Sequence, residues 1–383
     1  MLLKEHFETL ASHGAETARY EGAISFPIFQ TATYRADAGS DYSYSRTSNP
    51  TRRELEQTVA MLENGKHGFS FASGLAAVTT LFSLLEKGDR AVIAKDVYGG
   101  TDRAVREIFS SFGIDFVSVD TTDENAVKEA FNDKTKLLFF ETPTNPMMRV
   151  SDIEKLSSIA HAHGALTAVD NTFLTPYLQR PLEFGADIVL HSGTKLLSGH
   201  HDTLNGHLIT NSDRIADRVF LLQRTLGNAL PPFDCWLTLR GIQTLPLRAE
   251  RQSETALSVA KYLEKHPRVK NVRYPFLPSH PQYELMRKQS RGGGCVLSFE
   301  LADDDVFPVL KGGKYIRFAE SLGGTTSLIT YPLTQTHASV PEEVRAALGI
   351  TPRLLRLSLG LEHPDDLLED LENMLRQQQK MRH

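Results

Sequence analysis

Lys195 is the residue from which the chemistry of this chain can be read. It closes the stretch His191-Ser192-Gly193-Thr194-Lys195, which follows the apolar run Ala186-Asp187-Ile188-Val189-Leu190. That run reads as a buried strand. Lys195 therefore sits just past a strand end, where open α/β sheets place their ligands. A lysine amine condenses with an aldehyde to a Schiff base, and the hydroxyls of Ser192 and Thr194 are natural phosphate ligands. A single group carrying both an aldehyde and a phosphate suits all three side chains.

A second short strand, Ala165-Leu166-Thr167-Ala168-Val169, ends in Asp170. Two adjacent parallel strands would put Asp170 and Lys195 on one rim of a sheet. Pyridoxal phosphate needs such a pair. Its aldehyde takes the lysine, and an anion against its ring nitrogen keeps that nitrogen protonated, so the ring can accept the electrons of a substrate carbanion. A solvated lysine or a turn-capping aspartate accounts for either motif singly, but not for the two together.

The remaining needs are a phosphate cradle and a grip on an amino acid. Gly68-Phe69-Ser70-Phe71 reads as a strand, and Ala72-Ser73-Gly74-Leu75-Ala76-Ala77 turns into a helix running to about Glu86. A glycine at such a turn lets phosphate approach the helix N-terminus, through the amides of Gly74 and Leu75. The nicotinamide Gly-x-Gly-x-x-Gly pattern and the Walker lysine are both missing. Arg356, in Leu354-Leu355-Arg356-Leu357-Ser358-Leu359-Gly360, has apolar neighbours that do not suit a solvent face. An inward arginine there could hold an α-carboxylate bidentately.

Taken in order, these segments resemble the Cys/Met-metabolism, or trans-sulfuration, family of pyridoxal-phosphate enzymes. The resemblance runs from Gly22-Ala23-Ile24-Ser25 to Gly360, nearly the whole chain. It implies an α/β, fold-type-I (aspartate-aminotransferase-like) protein, with a mostly parallel central sheet and a smaller α+β C-terminal domain. The expected division is an inter-subunit arm over 1–55, a cofactor-binding domain over 56–245 and a substrate-side domain over 246–383. Tyr44 and Arg46, in Tyr44-Ser45-Arg46-Thr47-Ser48-Asn49-Pro50-Thr51, resemble the family's pair that binds the phosphate held by a neighbouring subunit. The resemblance further implies a homotetramer built as a dimer of dimers. Tyr98 is expected to lie on the pyridine ring and assist proton transfer. Asn145, in Glu141-Thr142-Pro143-Thr144-Asn145-Pro146, is expected near the ring's phenolic oxygen. Ala319-Glu320-Ser321-Leu322-Gly323-Gly324 resembles the substrate loop, with Glu320 and Ser321 on the substrate side.

Three departures bear on the reaction. Thr325-Thr326 stands where Val-Glu is usual, Tyr331-Pro332 where His-Pro is frequent, and Gly100 where methionine γ-lyases typically have cysteine. The resemblance implies action on cystathionine or an O-acylhomoserine in methionine and cysteine metabolism. Glu320 inclines the reading to the cystathionine γ-synthase and γ-lyase type. The alternative is a cystathionine β-lyase, releasing homocysteine, pyruvate and ammonia. The acyl group of any homoserine ester stays open. A binding protein that lost turnover would be expected to have lost Lys195, Tyr98 or Arg356, and all three are present.

Composition sets the outer bounds. With 383 residues the chain can bury two domains' worth of core, and Lys+Arg 42 against Asp+Glu 47 leaves no basic footprint for nucleic acid. Met1-Leu2-Leu3-Lys4-Glu5-His6 lacks a signal-peptide core, no apolar run suits a membrane, and two distant cysteines, Cys235 and Cys295, suit a reducing cytoplasm. No metal is expected. His161 and His163 are two apart on a helix and cannot share a face, and His200, His201 and His207 lack suitable partners. The arm to about Pro50 shows no period and reads as extended chain with turns. Ser151-Asp152-Ile153-Glu154 reads as a capping box, a helix is expected from Leu247 to about Lys265, and Cys295–Leu301 reads as a half-buried strand.

Overall fold

The computed structural model describes residues 5–15, 20, 22–338 and 340–380. Met1, Leu2, Leu3 and Lys4 of the opening stretch lie outside the described residues. Among the described residues twelve strands form two sheets. In chain order they are β1 His67–Phe71, β2 Arg90–Ala94, β3 Asp115–Val119, β4 Thr135–Glu141, β5 Leu166–Asp170, β6 Ile188–His191, β7 Gly206–Thr210, β8 Val269–Arg273, β9 Val296–Leu301, β10 Arg317–Phe318, β11 Leu328–Thr330 and β12 Leu354–Ser358.

The larger sheet runs β1-β7-β6-β5-β4-β2-β3. Only β7 opposes its neighbours; the rest run parallel. Its central strands are apolar on both faces, as helices covering both sides require. Ala91, Val92, Ile93, Leu138, Phe139, Phe140, Ala168 and Val169 are all fully buried or nearly so. Strands β4, β5 and β6 end at one rim. There Glu141 lies in register with Asp170, and Asp170 with Leu190. This order places the ends of β5 and β6 side by side, as the two sequence motifs require.

The smaller sheet runs β10-β11-β12-β9-β8, antiparallel except for the β10–β11 pair. The helix Leu245–Glu264 lies between the two sheets in sequence. It buries Ala256, Val259, Ala260 and Leu263 in the same cluster as Leu297, Phe299, Leu355 and Leu357. Strand β9 is buried along its full length, not half-buried as its alternation suggests. Leu297, Phe299 and Leu301 face the C-terminal core. The other face meets the large-sheet half of the chain, where the Ser298 hydroxyl donates to the Pro146 carbonyl at 2.7 Å.

Three further readings change. The arm contains a helix, Phe7–His13, whose buried face is only Phe7 and Ala11, too short a pattern to show as a period. The helix after β1 ends at Phe82, short of Glu86. The helix Ile153–Ala162 is capped by Asp152, which accepts from the Lys155 amide at 3.1 Å. The Ser151 hydroxyl is used elsewhere and donates to Thr121 at 2.8 Å. Residues 22–48 run as turns and extended chain, largely exposed, and Asn49 ties them down. Asn49 Oδ1 caps the helix Pro50–Leu62, while Nδ2 donates to Phe29 O at 2.9 Å and to Ser45 Oγ at 3.0 Å.

Candidate active site

An open cavity with an empty volume of about 1050 Å³ lies at the rim of the large sheet, where the substrate loop of the C-terminal half comes down on it. Strand ends of the large sheet supply Glu141, Asp170 and Leu190, and the turns beyond them Asn145, Ser192, Thr194 and Lys195. The C-terminal half supplies Glu320, Ser321, Thr336 and Arg356.

Lys195 Nζ lies 3.3 Å from Ser321 Oγ. Burial, then the nearby Arg356 charge, pushes its pKa down to about 8, against the pull of Glu320 and Asp170. A lysine near neutrality can act as nucleophile and as base, which a solvated ammonium cannot. Asp170 accepts from the Thr172 amide at 2.9 Å, and burial raises its pKa. A cationic partner in the cavity would restore its anionic form. Glu141, beside it, is pushed well above the usual carboxylate range by burial and by the Asp170 charge, and accepts from the Tyr98 amide at 2.5 Å. Of the pair, Glu141 is pushed further toward its neutral form, and Asp170 is the carboxylate that a cationic partner in the cavity would keep ionised.

A helix N-terminus that could hold an anion also lines the cavity. Ser73 caps the helix Gly74–Phe82 by accepting from the Ala76 amide at 3.0 Å. The amides of Gly74 and Leu75 remain to serve an anion at the helix N-terminus. A Cβ on Gly74 would fall 2.7 Å from Ser192 Cβ, so the cradle closes only around glycine. Ser192 lines the cavity from the other side. Thr194 does too, but its hydroxyl already donates to Asn205 O at 3.2 Å and accepts from Asn205 N at 2.9 Å.

Tyr98 projects into the cavity and is 46% exposed. Gly100 lies under its ring: a Cβ there would sit 2.5 Å from a ring carbon. Any side chain at position 100 would move Tyr98, which gives the missing cysteine a physical meaning.

On the opposite wall Arg356 is 2% exposed, on β12 between β11 and β9. It donates to Asn145 Oδ1 at 2.8 Å, Ser321 O at 2.9 Å and Thr330 Oγ1 at 3.1 Å. All three acceptors are neutral, Nε is buried without a partner, and burial lowers the pKa to about 10. A buried cation with neutral partners calls for an anion, and a carboxylate fits its fork. Asn145, expected at the ring, commits its oxygen to Arg356 and so touches both halves of the site. Ser321 holds a left-handed φ of 95°. Its two bonds, to Lys195 through Oγ and to Arg356 through its carbonyl, hold that conformation.

Tyr44 and Arg46 do not line the cavity of their own chain. Arg46 donates to the Arg224 carbonyl and lies 5.4 Å from the Tyr44 ring centroid, with Tyr44 46% exposed. Sequence reasoning missed Ser73, Glu141, Thr172 and Thr336 as lining residues. Glu141 had a visible signal, a carboxylate at the end of an apolar strand. It also missed the buried pair behind Asp170, His191 Nε2 and Glu63 Oε1 at 2.6 Å. Among the described residues no group of His, Cys, Asp and Glu could hold a metal. His161 meets Asp187 at 2.9 Å and His163 meets Ile159 O at 2.9 Å.

A depressed lysine, a cavity-facing carboxylate, a helix-N-terminal cradle and a buried arginine hydrogen-bonded only to neutral groups form one set. They fit an aldehyde, a protonated ring, a phosphate and an α-carboxylate. The sheet order and this site define a fold-type-I pyridoxal-phosphate enzyme. The match to known proteins is specific: residues 8–376 fit the model of the Cys/Met metabolism PLP-dependent enzyme family, and the chain belongs to that family. It is 46% identical to a cystathionine beta-lyase of Lactococcus lactis over 366 residues, covering 94% of this chain and 96% of that one. It is 43% identical to a cystathionine gamma-synthase/O-acetylhomoserine (thiol)-lyase of Bacillus subtilis, covering 97% of each. The crystal structure of cystathionine gamma-lyase from Lactobacillus plantarum complexed with L-serine superposes with a TM-score of 0.96 at 40% identity, covering 98% of this chain and 100% of that one.

Proposed function

We propose that this enzyme carries out trans-sulfuration chemistry on cystathionine or an O-acylhomoserine, of the γ-synthase/γ-lyase type. The observation that carries the reading is the placing of Arg356 and Glu320 on the wall facing Lys195: a buried cation without an anion, and an exposed carboxylate at the cavity mouth. An α-amino acid whose far end carries an ammonium meets both. Pyridoxal phosphate, when bound, supplies an aldehyde for the substrate amine and a ring that delocalises the electron pair left at the α-carbon.

The residues then divide the work. Arg356 and Ser321 hold the substrate carboxylate, and Asn145 keeps Arg356 aimed. Lys195, as the free amine, moves the α-proton as general base, within reach of a hydroxyl at Ser321. Asp170 stays anionic against the ring nitrogen. Tyr98 covers the site and shares in proton transfer. Gly74, Leu75, Ser192 and Thr194 cradle the phosphate, Thr194 by redirecting its hydroxyl proton from the Asn205 carbonyl.

Tyr44 and Arg46 serve the neighbouring subunit's phosphate, since they stand exposed and away from their own cavity. That makes the site complete only in a dimer, within a homotetramer built as a dimer of dimers. The arm over 1–55, the cofactor domain over 56–245 and the substrate-side domain over 246–383 are the working divisions. A cytoplasmic setting suits Cys235 and Cys295, both buried as free thiols. No helix among the described residues is long and apolar enough to cross a membrane.

The test is to mix the purified protein with cystathionine and to assay pyruvate, 2-oxobutyrate and homocysteine separately. Formation of 2-oxobutyrate, or synthesis of cystathionine from an O-acylhomoserine and cysteine, is the expected result. Pyruvate with homocysteine, and neither γ-product, would replace this reading with the β-lyase one.

A further inference from the structure

Beneath the turn that carries Lys195 lies a buried polar layer directed at that turn. Its centre is Asn205, which precedes β7 and has no exposed surface. The Asn205 backbone is bound to Thr194 from both sides: its amide donates to Thr194 Oγ1 at 2.9 Å, and its carbonyl accepts from Thr194 N at 3.3 Å and Thr194 Oγ1 at 3.2 Å. The side chain reaches the far end of the same turn. Asn205 Nδ2 donates to Ser198 Oγ at 2.9 Å and to Thr238 Oγ1 at 3.1 Å. The turn is closed by Ser198 N donating to Gly193 O at 3.0 Å and Gly199 N to Lys195 O at 2.8 Å. Asn205 therefore grips the chain one residue before Lys195 and three residues after it.

The remaining oxygen is also fixed. Asn205 Oδ1 lies 2.8 Å from His207 Nε2, and His207 Nδ1 lies 3.0 Å from Ser70 Oγ. Burial drives the His207 pKa down to about 3, so the ring is neutral. With an amide oxygen facing Nε2, the proton belongs there, and Nδ1 accepts from Ser70. Every polar atom of the amide is thus engaged.

Gly193 completes the arrangement. A Cβ at this position would fall 1.8 Å from Asn205 Oδ1 and 2.5 Å from His207 Nε2. The amide and the imidazole occupy the place a side chain would take, so the Ser192-Gly193-Thr194-Lys195 turn and the Asn205–His207 pair fit only as a set. The strand that follows meets the phosphate cradle as well. A Cβ on Gly206 would lie 2.4 Å from Ser73 O and 2.7 Å from Gly74 Cα. One segment, 205–207, braces both the lysine turn and the cradle.

We infer that Asn205, oriented by His207, is a positioning residue of this enzyme that sets where the Lys195 amine stands relative to Asp170 and Ser321. Gly193 is the glycine that makes room for it. The inference rests on Lys195 being the working lysine. Borohydride reduction of the wild-type holoenzyme and peptide mapping test that assignment separately. With the adduct on Lys195, variants test the positioning by itself.

The experiment compares wild type, Asn205→Ala, Gly193→Ala and the double variant as holoenzymes. Asn205→Ala is expected to lower kcat about 10- to 100-fold with KM changed less than about threefold, because a misplaced reacting group costs rate more than binding. The pH midpoint of the cofactor's visible band should also move by about 0.5 or more, a readout that loss of packing elsewhere would leave in place. Gly193→Ala should be worse, and adding Asn205→Ala to it should restore part of the loss, since the smaller residue vacates the space the new methyl needs. An unshifted midpoint with wild-type kcat in Asn205→Ala, or a double variant whose loss equals the sum of the two singles, would overturn the inference. If Gly193→Ala yields no folded protein, the Asn205→Ala kinetics and midpoint decide it.

Discussion

The two walls of the cavity are built by different means. The cofactor wall stands on ends of parallel strands. Glu141 and Asp170 end β4 and β5, and the turn of Lys195 follows β6, the three strands locked side by side by backbone ladders. The substrate wall is the loop of Glu320 and Ser321, backed by β12. It holds its shape by side-chain bonds: Arg356 to the Ser321 carbonyl, Ser358 Oγ to the Gly323 amide at 2.8 Å, and Glu362 to the Ser327 amide at 2.7 Å. A ladder tolerates changes of side chain, whereas a side-chain lattice changes shape with each of them. One chemistry can thus be kept on a fixed wall while the opposite wall is altered to choose the substrate.

The comparison breaks first at Lys195. Lys195→Ala should lower turnover at least about a thousandfold, because one side chain supplies both the covalent tether and the base. Cofactor binding should survive through the cradle and Asp170. The visible band of the dialysed variant reads retention, and rate assays read the loss. Borohydride treatment of wild type should leave the cofactor on the Lys195 peptide; an adduct on another lysine would refute the assignment of the whole wall.

Arg356→Ala cuts the other wall. Removing a buried charge-assisted carboxylate pair costs about 2–4 kcal/mol, roughly 30- to 1000-fold, expected mainly in KM for every amino-acid substrate. The cofactor band of this variant should stay near that of wild type. A bleached or displaced band would mean that the walls are coupled through Asn145, the residue that touches both.

The cofactor wall was largely legible in the sequence, and the reason is local. Asp170 and Lys195 each come after a short, mostly apolar run, Gly74 sits at a strand-to-helix turn, and the pairing of β5 with β6 only had to bring neighbours together. What escaped was non-local. The His191–Glu63 contact spans 128 residues of chain, and Arg356 meets Asn145 across 211. Neither is announced by spacing. Thr194 is the instructive intermediate case: its place beside Lys195 was readable, but its bonds to Asn205 were not, so a hydroxyl proposed for a phosphate is also a structural one. The arm helix Phe7–His13 was lost for lack of signal, with two buried residues in seven.

On the proposed assembly the arm would add a third wall, from another chain. Arg46→Ala and Lys195→Ala should each be inactive or nearly so when assembled separately. Co-assembled, they should recover about a quarter of wild-type activity, because half of randomly mixed dimers contain one site with both residues intact. The recovery is to be read after refolding the two chains together at equal amounts, with mass spectrometry confirming mixed dimers. Mixed dimers without activity would place Tyr44 and Arg46 in the service of their own subunit.

Glu320 is expected to have the smallest effect and the most selective one. Its carboxylate lines the cavity yet is solvent-exposed, so its attraction for a ligand ammonium is screened and adds little to binding of the common part of the substrate. What it can do is favour a substrate with a second ammonium at the far end. Cystathionine has one, and O-acetylhomoserine does not. Glu320→Ala should therefore weaken turnover of cystathionine, or its synthesis from cysteine, by about three- to tenfold, the size of an exposed ion pair strengthened by partial enclosure. Thiolysis of O-acetylhomoserine by sulfide should change by less than about twofold. Lys195 and Arg356 are untouched in this variant, so cofactor retention and the common carboxylate grip serve as internal controls. Steady-state kinetics on the two reactions gives the answer as a ratio. Equal losses on both would show that Glu320 shapes the loop without reading the substrate. No loss on cystathionine would remove the reason to prefer γ-chemistry and leave the β-lyase reading to be judged on products.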